Sequence, residues 1–139
     1  MMIDNLLKIE KIGKQLLRGG IALYLASIVF FTIGSPKAAG LAQLQTGLVG
    51  ILLVGIILLL LFHYKNPKAG AIGGAGAILF FLASALLVGY SDFSQNASSS
   101  MIFLHVIKDI LLAFGALVLT GESIKEMVRE RITKPFPKR

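Results

Sequence analysis

Four apolar segments, each long enough to cross a bilayer, take up most of this chain and leave it few folds to choose from. They run over about 19–35, 41–63, 69–90 and 101–120, and roughly 20 apolar residues suffice for a helical span. Ser35-Pro36 closes the first with a turn signal, and His63-Tyr64-Lys65-Asn66-Pro67 closes the second. The polar stretch Ser91–Ser100, with Asp92, Gln95, Asn96 and three consecutive serines, is expected to form a loop before the fourth. Four spans joined by short connections predict an all-α membrane protein, an antiparallel bundle of four transmembrane helices in one domain over residues 1–139.

Composition agrees. Hydrophobic residues make up 55% of the chain, charged residues only 15%, and mean hydropathy is +0.81. A chain of 139 residues with repeated spans has no length left for a soluble enzyme module. Cysteine is absent, which excludes disulfides, thiolate metal sites and cysteine nucleophiles. It also excludes the four-helix membrane proteins that exchange disulfides with quinones. With no tryptophan, Tyr24, Tyr64 and Tyr90 are the candidate interface anchors, and the last two stand at span ends.

Basic residues predict the orientation. Lys8, Lys11, Lys14 and Arg18 precede the first span, Lys65 and Lys68 separate the second from the third, and six Lys or Arg follow the fourth. The other two connections hold only Lys37, a split of twelve against one that puts both termini in the cytoplasm. The expected location is therefore the bacterial inner membrane, multi-pass. The net charge of +7 then reflects anionic lipid rather than nucleic acid, since the charges flank spans and form no groove.

Both ends carry amphipathic patterns. Leu6, Ile9, Gly13 and Leu16 share a face apart from Lys8, Lys11, Lys14 and Arg18, as in a short helix lying in the inner interface. Ala38-Ala39-Gly40 invites a signal-peptide reading, but the apolar run before it starts late and is long for one, so it is read as a retained first span. In the tail, 121–139, Ile124, Met127, Val128 and Ile132 recur at helical spacing, continuing the fourth helix or forming an interfacial one. Thr133-Lys134-Pro135-Phe136-Pro137 should end it.

Glycines collect where helices would touch: Gly47, Gly50 and Gly55 in the second span, and Gly70, Gly73, Gly74 and Gly76 in the third. Small residues let backbones approach in lipid, so this cluster predicts close packing within the bundle or, alternatively, a homo-oligomer face.

The fourth span holds the most telling residues. Lys108 and Asp109 sit in an otherwise nearly apolar run, where each charge costs about 2.5–3.5 kcal/mol to insert. The twelve Leu, Ile, Val and Phe residues between Met101 and Thr120 return about 4–7 kcal/mol at 0.3–0.6 each, so insertion is marginal unless the charges find partners. His105, Lys108 and Asp109 share one helix face, at i, i+3 and i+4. Asp109 is expected to pair with a cation on another helix or, across a shared water, with Lys108, and Lys108 to snorkel outward. This is either a structural ion pair or a polar pocket that binds a small ligand or relays protons.

Other chemistries find less support. His63 and His105 fall at opposite ends of the bundle and cannot jointly ligate a haem iron. A small multidrug exporter is disfavoured because the first three spans contain no carboxylate. No zinc, carboxylate-pair or nucleophile–base arrangement appears, so no catalytic residue, metal or cofactor is assigned and a non-enzymatic role is favoured.

Ile107-Lys108-Asp109, then Leu111, Leu112, Gly115-Ala116 and Glu122-Ser123-Ile124-Lys125-Glu126, resembles the last helix of YkgB-type inner-membrane proteins. Lys11-Ile12-Gly13 with Arg18, Ile33-Gly34 with Lys37, and Gly47–Leu61 followed by Asn66-Pro67 look similar to the same family. That family includes the RclC-like reactive-chlorine-resistance proteins and is distantly DoxX-like. The chain departs from it at Leu104, where an arginine is common, and in a short connection between its first two spans.

The resemblance implies a role in envelope or oxidative (reactive chlorine type) stress physiology, with a partner or small ligand bound through the polar face of the fourth span. Two alternatives remain open: a small transporter or proton-relay component, and an accessory subunit of a quinone-linked membrane oxidoreductase. The partners expected are the lipid bilayer, a further copy of the chain or a membrane redox complex, and no nucleic acid.

Overall fold

A computed structural model describes residues 2–33, 41–95 and 98–133. Four helices account for nearly all of them: α1 (Met2–Ile33), α2 (Leu41–Leu61), α3 (Pro67–Ser94) and α4 (Ser99–Thr133), and no strand occurs among the described residues. Each contains a stretch long and apolar enough to cross a membrane.

Helix boundaries follow local chemistry. After α2 the chain tightens into a 3-10 turn over Phe62–Tyr64, and Asn66 turns to extended geometry to cap α3. The Asn66 side-chain oxygen accepts from the Lys68 backbone N–H at 3.0 Å, and Pro67 occupies the first turn, where its missing N–H costs nothing. The connection between α3 and α4 is shorter than the expected loop over Ser91–Ser100. Helix α3 runs on to Ser94, where Ser94 Oγ donates to the Ser91 carbonyl and Gln95 Nε2 to Ser91 Oγ, and α4 already begins at Ser99.

The amphipathic ends are not separate helices. Met2–Ile33 is continuous through Gly13, Gly19 and Gly20, and α4 carries its charged end out to Thr133. Glycine weakens a helix without breaking it, and no proline interrupts either segment. The expected turn at Ser35-Pro36 and the prolines after Thr133 lie outside the described residues.

The core is one narrow seam. Ile21 and Leu25 of α1, Leu53, Ile56 and Leu60 of α2, Ala77 and Phe81 of α3, and Ala113, Ala116 and Leu119 of α4 pack into it. Their spacing of three, four and seven residues is that of helices meeting along a stripe. Outside the seam, the surface is itself apolar: Leu23, Phe30, Phe31, Ile51, Leu79, Leu86 and Leu87 are each 70% or more exposed.

Glycine sets how closely α3 approaches its neighbours. A Cβ on Gly73 would lie 2.8 Å from the Leu59 side chain and the Leu60 backbone nitrogen, and one on Gly74 would strike the Thr120 hydroxyl. Matched contacts give the register: Gly76 meets Ile56 and Gly73 meets Leu59, while Gly74 meets Thr120 and Gly89 meets Val106. The cluster in α3 thus faces α2 and α4 inside the bundle.

Candidate functional site

The core stripe of α4 is polar at both ends. Its buried residues are Asp109, Ala113, Ala116, Leu119 and Ser123, recurring at three and four residues. Two polar clusters form around those two termini.

At the first, Asp109 is 2% exposed. Its Oδ2 accepts from the Ser84 hydroxyl of α3 at 2.7 Å, and its Oδ1 stands 3.5 Å from Lys108 Nζ. Lys108, one residue back and about 100° round the helix, keeps half its side chain exposed. Its ammonium lies 5.5 Å above the Tyr24 ring of α1, a cation–π arrangement. The cation expected from another helix is replaced by a hydroxyl donor, and the Lys108–Asp109 contact is direct. His105 does not join them. It turns to α3 instead, with Nδ1 2.8 Å from Asp92 Oδ2, at a part-exposed position one turn further out.

The second cluster forms around Arg18, which the sequence suggests only as a marker of orientation. Arg18 of α1 is 3% exposed, and its Nη2 donates to Glu122 Oε2 of α4 at 3.1 Å. Its guanidinium lies 5.5 Å from the centre of the Tyr64 ring, and its Nε is buried with no hydrogen-bond partner among the described residues. Beside it, Ser123 Oγ donates to the Leu119 carbonyl at 3.0 Å and lies 2.8 Å from His63 Nδ1. A hydroxyl has one proton to give, so with that proton on the Leu119 carbonyl the Ser123 oxygen is left to accept from His63 Nδ1. Gly70 makes this possible, because a Cβ there would collide with the His63 ring.

Arg18, His63, Tyr64 and Glu122 open on a cavity of about 440 Å³, lined also by Lys11, Lys14, Glu126, Arg129 and Glu130. A signal for Arg18 was present in the sequence. It precedes Ile21, Ala22 and Leu25 at three, four and seven residues, so it lies on the buried stripe of α1.

The two clusters are far apart. From Asp109 to Ser123 is 123 − 109 = 14 residues of one helix, about 21 Å at 1.5 Å per residue. The two histidines lie toward opposite ends of α4, His63 against Ser123 and His105 against Asp92. No protein-family model, curated protein or solved structure matches the chain.

Proposed function

We propose that this chain is a small multi-pass protein of the bacterial inner membrane, an antiparallel up-down bundle with both termini cytoplasmic. Its role on this reading is to bind a partner or small polar ligand through the α4 face around Lys108 and Asp109. Several observations support the setting. The helices are long and apolar enough to span a bilayer, and their outward faces carry large apolar side chains where a water-soluble bundle would carry charges. Contacts run in opposite senses along neighbouring helices, as Gly76–Ile56 with Gly73–Leu59 and Gly74–Thr120 with Gly89–Val106. Lys11, Lys14, Arg18 and Arg129 gather round the same end as Tyr64 and Pro67, the end the basic-residue bias assigns to the cytoplasm.

One observation carries the functional reading. A buried carboxylate, Asp109, is held from behind by Ser84, while its partner Lys108 keeps half its side chain in the open. A half-exposed ammonium beside a buried carboxylate leaves a charged group within reach of a ligand, and ionisable groups within spans mark binding sites and pathways. The YkgB-like resemblance supplies the proposed context of envelope or reactive-chlorine stress.

The transporter and proton-relay reading finds less support. Between Asp109 and Ser123, the buried residues of α4 are Ala113, Ala116 and Leu119, which offer no polar path through the seam. The quinone-linked accessory-subunit reading has no specific observation in its favour.

The test is a double variant, Lys108→Met with Asp109→Leu. Exchanging an ion pair for apolar residues of similar volume is often neutral or stabilising, so folding should survive while function does not. We expect normal membrane abundance and failure to restore oxidant tolerance in a deletion strain. A normally abundant double variant that still protects cells would reduce the pair to a packing feature.

A further inference from the structure

The end of the bundle opposite Lys108 and Asp109 contains a donor that nothing among the described residues satisfies. Arg18 is 3% exposed and its Nε has no partner, although its Nη2 is engaged by Glu122. Buried polar groups are almost always hydrogen-bonded, and one left without a partner costs about as much as a lost bond. The donor belongs to a side chain that lines a cavity of about 440 Å³. That volume is large enough for a ligand group rather than a single water.

Charge defines what the cavity would take. Its lining holds four cations, Lys11, Lys14, Arg18 and Arg129, against three carboxylates, Glu122, Glu126 and Glu130. The balance, 4 − 3, leaves one positive charge. Guanidinium N–H groups match the oxygens of phosphate and carboxylate in geometry, and the attraction is strongest where water is excluded. The aromatic face of Tyr64 and the glycine-seated His63 complete the wall around Arg18.

We propose that this cavity binds a singly charged oxyanion, a phosphodiester, with Arg18 as the deep donor and Lys11 at the rim. Phosphodiesters come from two sources, the headgroup of a membrane lipid or a small soluble ester, and both would reach the site through the same chemistry. The site is separate from the face around Lys108, and its reading does not rest on the role proposed there.

The full chain, purified and delipidated in a maltoside detergent that carries no phosphate, supplies the test. Binding would be measured by native mass spectrometry and by thermal stabilisation with three probes: phosphatidylglycerol, soluble glycerophosphoglycerol and a glucosyl diacylglycerol lacking phosphate. Saturable binding of the first two identifies the oxyanion as what is recognised, and binding of phosphatidylglycerol alone identifies the lipid as the source. Arg18→Lys retains a cation for Glu122 but removes the Nε donor, and should weaken binding by about tenfold or more. Lys11→Gln, which leaves the Arg18–Glu122 pair intact, should weaken it by a smaller factor.

Equal binding of the phosphate-free glycolipid would overturn the proposal, as would no binding of either phosphodiester. Wild-type affinity in a folded Arg18→Lys variant would do the same. Should that variant fail to fold, unchanged affinity in Lys11→Gln overturns it.

Discussion

Asp109 and Lys108 are neighbours in sequence with opposite circumstances. The carboxylate sits on the buried stripe of α4 and holds two partners, Ser84 and Lys108, while the lysine leans out over Tyr24 with half its side chain exposed. Removing Asp109 strands the Ser84 hydroxyl and deprives the ammonium of its counter-ion in a low-dielectric setting. Removing Lys108 leaves a carboxylate that still accepts from Ser84. Asp109→Ala should therefore lower the melting temperature in detergent more than Lys108→Ala, with a cost of about 1–3 kcal/mol for the stranded groups. Equal or reversed losses would count against a carboxylate that the bundle shields from water.

Among the elements, α3 is the one whose sequence is most constrained by its neighbours. Gly73 lies against the Leu59 side chain and the Leu60 backbone at 2.8 Å from where a Cβ would stand, whereas a Cβ on Gly20 of α1 would meet nothing within 4 Å. The same substitution should then have opposite effects at the two places. Gly73→Ala forces α2 and α3 apart and should cost about 1–3 kcal/mol as overpacking. Gly20→Ala relieves the entropic penalty of a helical glycine and should be neutral or stabilising by up to about 1 kcal/mol. Thermal unfolding of the two variants in one detergent checks the contrast. If both were neutral, α3 would not make the close approach that its glycines allow.

For the whole molecule, the distribution of basic residues is the basis of the orientation. Twelve Lys and Arg fall at the termini and between the second and third spans, against Lys37 alone in the other two connections. Reporter fusions after Arg139 and at Ser98 should accordingly report opposite sides, with the C-terminus in the cytoplasm. An external C-terminus would remove the argument that places the Arg18 cavity on the inner side. It would leave untouched the contacts that build the cavity.

Much of this arrangement was legible in the chain itself. Hydrophobic runs of bilayer length predict four long helices, because segment length is a local property, while Asn66-Pro67, read in the sequence as the close of the second span, proves to cap the start of α3. Lys108 and Asp109 stood out for the same reason, as two charges in an apolar run. What sequence reading could not supply was partnership across helices. Ser84 as the donor to Asp109, His105 turned to Asp92, and Arg18 joined to Glu122 across 104 residues all depend on the rotation and register of packed helices. Those are set by which small residues let backbones close up, as at Gly73 and Gly74. A pattern of three and four residues tells which face of a helix is buried. It does not tell which face of which other helix covers it, and that choice made a polar cavity out of charges that the sequence alone read as markers of orientation.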